Sequence, residues 1–165
     1  MVILGDVAES DLTEKGWQLL ERFVGESGGT LVMVAGKNHF PLEHRSPIVD
    51  ALLPVTKLRP LTITGRQAEA SPTERGFHLK LMPEALRESM FQFEPKPADN
   101  QEAWAGLPGH TWGLLATAKK GATVFATAIQ KGKEQTFEEE RENAIIVHQH
   151  YGFGQVLWIG IDSTW

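Results

Sequence analysis

Apolar and polar residues alternate along this chain with a period that changes from one stretch to the next. Val2, Ile3 and Leu4 form a short unbroken apolar run that stops at Gly5-Asp6, the pattern of a buried parallel strand. A polar, turn-like segment follows, in which Asp11 and Glu14 have capping-box spacing and Thr13 is a rival cap. Trp17, Leu20, Phe23 and Val24 then recur at helical spacing, until Gly25 and Gly28-Gly29 interrupt the pattern. Residues 30–35 are a second β-rich run. Strand, helix and strand of this size predict a βαβ unit with parallel strands.

Residues 37–45 read as a loop carrying His39, Pro41 and His44. Residues 47–53 predict a short helix, with Ile48/Leu52 and Val49/Leu53 as i,i+4 pairs, ended by Pro54. Residues 61–64 read as a strand, 67–75 as an exposed loop, and 77–81 as a half-buried strand of period two. Residues 91–100 read as another loop, from which Asp99 caps a short helix carrying Ala103, Trp104 and Leu107. In the last third, residues 113–118 and 122–129 predict a hairpin around Lys119-Lys120-Gly121. Residues 144–149 and 155–161 predict a second hairpin across Tyr151-Gly152-Phe153-Gly154, and the charged stretch 131–143 between them reads as a loop. The joint prediction is an α/β fold: parallel strands first, then an antiparallel C-terminal meander in one mixed sheet covered by helices.

Composition narrows the function classes. A chain of 165 residues predicts one domain, burying roughly 70% of its unfolded surface. The net charge is −5, and no basic cluster is longer than Lys119-Lys120, which argues against a nucleic-acid footprint. Apolar runs such as 31–35 and 156–161 are too short to span a bilayer, so this segment predicts no membrane contact of its own. The absence of cysteine removes disulfides, thiolate catalysis and cysteine-based zinc sites together, without fixing the compartment. Both ends read as cut from a longer chain: the first residues enter a strand at once, and 159–165 stop just after one.

The runs Ile3-Leu4-Gly5-Asp6-Val7 and Gly28-Gly29-Thr30-Leu31-Val32-Met33-Val34-Ala35-Gly36, with the helix ending Phe23-Val24 between them, resemble the class I glutamine amidotransferase-like superfamily. The resemblance is to its cysteine-less branch in large bacterial proteins, notably of planctomycetes, where it accompanies von Willebrand factor A-type and membrane-spanning regions. Residues 47–55, 104–108, 121–124 and the ending 151–165 fit that branch too. It implies a flavodoxin-like sheet, an additional strand before Met1, continuation beyond Asp162-Ser163-Thr164-Trp165, and other domains of the parent chain as partners. It also implies where chemistry is missing. The family's nucleophile is a cysteine in a Gly-x-Cys-x-Gly elbow with a later His-x-Glu. Here Val34 takes the cysteine position in Val32-Met33-Val34-Ala35-Gly36, and no His-x-Glu occurs. Valine cannot form a glutamyl thioester, so the resemblance implies a non-catalytic binding or assembly module. Cysteine-less trehalose-utilisation relatives imply a sugar- or metal-linked role as a further alternative.

Three residues predict a polar site at strand carboxyl ends, where open α/β sheets take ligands: Asp6, His39 and Asp162. They would serve a hydrolase or transferase if they cluster; otherwise Asp6 caps a turn, Asp162 bonds local backbone and His39 is solvated in a loop. His148 and His150, two apart on a strand, share a face and could ligate zinc or copper if a third ligand joins them from His39, His78, His110 or an acid. Without one, the expectation is that one packs against Tyr151 or Trp158 and the other meets solvent. Ser163 beside Asp162 suggests serine chemistry with some histidine, but no Gly-x-Ser-x-Gly elbow supports it. Lys37-Asn38 after Gly36 lacks the rest of a phosphate loop, and no cofactor motif is present. The charged run 138–142 reads as a solvated face. Trp165 is expected to lie exposed and to drive self-contacts, and an open edge strand would invite pairing with a second copy.

Overall fold

The structure, a computed structural model, describes residues 1–130 and 132–163; the expectation for Trp165 lies outside the described residues. β1 (Val2–Leu4) pairs in parallel with β2 (Thr30–Val34), and α1 (Glu14–Gly25) connects them. The helix buries Trp17 and Val24, seven residues apart and so on one face. Thr13 is its N-cap, with extended backbone but no side-chain capping bond. α2 (Pro47–Leu52) follows, capped by Ser46, whose hydroxyl accepts from the Ile48 N–H, with proline in the first turn. β3 (Val55–Thr62) begins directly after Pro54, six residues earlier than the apolar pattern predicts, because its outward positions are polar.

Residues 67–75 are not wholly loop: α3 (Arg66–Glu69) forms one exposed turn of helix there. β4 (His78–Leu81) matches its predicted strand. Two 3₁₀ turns, Ala85–Arg87 and Ser89–Phe91, lead to α4 (Pro97–Ala105). Lys96 is the N-cap of α4; Asp99 lies in the first turn, where its charge suits the helix dipole, and Leu107 falls beyond the helix.

β5 (Trp112–Ala118) and β6 (Thr123–Ile129) are consecutive strands but do not form the predicted hairpin. β5 pairs with β3, whereas β6 pairs with β4 and with β7 (Ala144–Tyr151). The turn at 119–122 closes with an Ala122 N–H to Lys119 carbonyl bond, but each strand pairs with strands elsewhere in the chain. Residues 131–143 contain α5 (Phe137–Glu142), started by a capping box in which Thr136 accepts from the Glu139 N–H and Glu139 accepts from the Thr136 N–H. The second predicted hairpin is present: β7 pairs antiparallel with β8 (Gly154–Ile159) across a two-residue turn. Gly152 there has φ 57°, as the first central residue of a tight primed turn requires.

The sheet runs β1-β2-β8-β7, with β6 and β4 beyond β7 and β5 and β3 branching at its start. β8 lies parallel to β2, so the C-terminal strand completes the parallel part of the sheet. Strand alternation divides the core between the two faces. Leu31, Met33, Val156 and Trp158 face one way, onto Trp17 and Val24 of α1 and Val49 and Leu52 of α2. Leu157 and Ile145 belong to the other cluster, with Phe77, Phe91, Phe125 and Ile161. Among the described residues, no helix is long and apolar enough to cross a membrane.

Candidate functional site at the strand carboxyl ends

The parallel strands end together: β1 at Gly5-Asp6, β2 at Ala35-Gly36, β8 at Gly160-Ile161. Val34, the last residue of β2, is half-buried and pairs in register with Ile159. The chain then turns back on itself, with Gly36 N–H donating to the Phe40 carbonyl at 2.8 Å. Asp6 holds this turn. Its Oδ1 accepts from His39 N–H at 2.7 Å and Phe40 N–H at 2.9 Å, and its Oδ2 accepts from the backbone and side-chain N–H groups of Asn38, both at 3.0 Å. Desolvation raises the Asp6 pKa, but these bonds together outweigh it and hold the carboxyl below its usual value of 3.8. The contact explains Gly36: a Cβ there would stand 1.9 Å from Asp6 Cγ.

The three predicted residues are therefore neighbours with separate partners. Asp6 touches His39 only through its backbone N–H. The His39 ring turns to Glu43, Nδ1 to Oε2 2.7 Å. Asp162 pairs with Lys37 at 3.0 Å, and the Lys37 ammonium also sits 5.4 Å from the centre of the Trp112 ring.

A second pair lies at this edge. β5 meets β8 where the latter ends, through Leu114 N–H and the Gly160 carbonyl, and this sets His110 against Ser163 with Nδ1 to Oγ 2.8 Å. Burial, then repulsion from His78 and Arg75, lowers the His110 pKa against the opposing pull of Asp162. Its neutral ring can accept the Ser163 proton. Lys37, Trp112 and Arg75 were not read as site residues in the sequence, and His110 only as a spare metal ligand. His110 and Ser163 lie 53 positions apart with no spacing signal; the sheet order alone joins them.

His148 and His150 do share a face, their rings perpendicular and 4.8 Å apart. His148 stacks on Phe125 rather than on Tyr151 or Trp158, and its Nε2 meets Gln155 Oε1 at 3.0 Å. No group of three His, Cys, Asp or Glu side chains able to hold a metal occurs among the described residues. Buried His44 is structural: Trp17 Nε1–H donates to its Nδ1 at 3.3 Å, so its Nε2 carries the proton and donates to the Val7 carbonyl at 2.7 Å.

The chain matches no protein-family model and no curated protein. Among solved structures it is similar to cytoplasmic protein STM3548 from Salmonella typhimurium: TM-score 0.58, 14% identity, covering 97% of this chain and 59% of that one. It is also similar to a catalytic mutant of Gan42B, a GH42 beta-galactosidase from G. stearothermophilus: TM-score 0.52, 15% identity, covering 96% of this chain and 18% of that one. The fold is class I glutamine amidotransferase-like. At these identities the likeness speaks for the fold alone. The chain has no cysteine at all.

Proposed function

We propose that this chain is a non-catalytic binding or assembly domain of a larger protein. The observation that carries the reading is the elbow itself. Val34 stands at the position of the family's nucleophile, and the turn beyond it is held shut by Asp6 over Gly36. A thioester mechanism needs a thiolate and room for a tetrahedral intermediate; valine offers no nucleophile and Asp6 fills the space above Gly36. The 18% share of the beta-galactosidase that the chain spans is in keeping with a domain of a longer protein. The test is release of ammonia from glutamine by the purified chain. No rate above the blank is expected, for the wild type or for Val34→Cys, because no His-x-Glu accompanies the elbow. Turnover of glutamine by the wild type would overturn the reading.

A second reading rests on the His110–Ser163 pair, which would make the chain a hydrolase at the strand carboxyl ends. Ser163 Oγ would attack an ester carbonyl, its proton passing to His110 Nδ1 and on to the departing alkoxide, and water would then release the acyl group. Hydrolysis of p-nitrophenyl acetate that disappears in both Ser163→Ala and His110→Gln would establish it. Hydrolysis unchanged in those variants, or absent from the wild type, would remove it.

A further inference from the structure

A groove of about 570 Å³ opens between β4, the end of β6 and α4. That volume lies within the range of small-molecule sites. Its walls are apolar, formed by Leu79, Leu81, Leu86 and Ile129 and by the indole of Trp104. The indole is already fixed in place: its N–H donates to the Phe91 carbonyl at 2.8 Å, and its ring stacks on Phe93 at 4.8 Å and 20°. A flat ligand would meet a wall that needs no reordering, which removes part of the usual entropic cost of binding.

Lys80 is the charged residue of the lining, and it is ion-paired with Glu140 outside it. His78, Lys80, Gln101 and Gln130 reach the groove, and among the described residues no carboxylate lines it, although the chain as a whole carries −5. That salt bridge, Lys80 Nζ to Glu140 Oε1 at 2.8 Å, uses one of the ammonium's three donors and leaves two for a second carboxylate to share the same cation. We propose that this groove binds a small planar aromatic carboxylic acid, its ring lying among Trp104 and the leucines and its carboxylate directed to Lys80. The site is separate from the strand carboxyl ends and stands whether or not the elbow is inert.

The experiment titrates the whole chain with naphthalene-2-carboxylate, 2-naphthylmethanol and 2-naphthylmethylamine by calorimetry. The carboxylate is expected to bind about tenfold more tightly than the alcohol, the increment of one charge-assisted hydrogen bond, and the amine more weakly still. Lys80→Gln should bring the carboxylate down to the level of the alcohol. Ala98→Trp, at an exposed position of α4 that lines the groove, should abolish binding of all three. Ala105→Trp fills the same groove from the other end of α4, should the first variant unfold. No binding of the carboxylate at millimolar concentration, equal binding of the amine, or binding that survives in the folded groove-filling variants would overturn the proposal.

Discussion

Asp6 and Gly36 should behave as one structural unit, and a double-mutant cycle measures it. Asp6→Ala removes an acceptor of three backbone N–H bonds and one side-chain N–H bond. A hydrogen bond to a charged group contributes about 1.5–3 kcal/mol when it is shielded. Asp6 is exposed, so water replaces much of that, and the set together is expected to contribute about 2 kcal/mol. Gly36→Ala acts on the same contacts from the other side, because its Cβ would fall 1.9 Å from Asp6 Cγ and 2.0 Å from Oδ1. The Asp6 Cβ would also lie 2.2 Å away, so the whole side chain and its backbone must be pushed aside and the same bonds are lost, at about 2–3 kcal/mol. Asp6→Ala takes away the carboxylate but leaves a Cβ 2.2 Å from the new one, so the turn must still shift in the double variant; because the four hydrogen bonds are lost only once, it should lose about 3 kcal/mol rather than the sum. Asp6→Ala should melt about 4–8 °C lower and Gly36→Ala about 4–12 °C lower, at about 2–4 °C per kcal/mol for a chain of this size. Urea unfolding followed by tryptophan fluorescence reads the cycle. Costs that simply add would refute the claim that Asp6 occupies the space above Gly36. The pH dependence supplies a second check. The Asp6 pKa is lowered in the fold, so its contribution is present above the ordinary aspartate value of 3.8 and is lost as pH falls through the lower folded value. The stability gap between wild type and Asp6→Asn should therefore hold steady from pH 5 to pH 8 and close in stronger acid.

Tyr151 is the only tyrosine, and its hydroxyl donates to Glu21 Oε1 at 2.5 Å. That hydrogen bond, then burial and the Glu21 charge, push its pKa up to about 12. Absorbance at the phenolate band should titrate near that value in the folded protein and return toward the ordinary 10.0 in Glu21→Gln; the stability this bond adds is intact below pH 10 and is lost as pH rises through 12. His110 should titrate below 6.5 by proton NMR, and its contribution to stability, present above 6.5, should fade as pH drops through the lower folded value; a normal titration would refute the burial argued for it. Thr136→Ala removes the α5 capping box and should cost about 0.5–1 kcal/mol at this exposed helix, seen as faster amide exchange confined to residues 137–143.

What could be read from the chain was set by local period. The helix around Trp17 and Val24 and the run ending at Val34 were legible because each buries one regular stripe or one alternate set of side chains. So was the Gly152-Phe153 turn, where the backbone demands glycine. α5 was missed although its capping box is written in Thr136 and Glu139, because its acidic residues bury nothing and leave no apolar stripe. The absence of a cysteine nucleophile was also decided by sequence alone, since no fold can supply a missing thiol. The tertiary structure decided what depends on partners distant in the chain. β5 and β6 leave each other because β3 and β7 offer longer ladders. Asp6 becomes the lock of a turn 32 to 34 residues away. His110 meets Ser163 only because β5 enters the sheet where β8 stops. Periodicity records which side of an element is buried, but not which other element covers it, and it is that choice of neighbours that assembles a site.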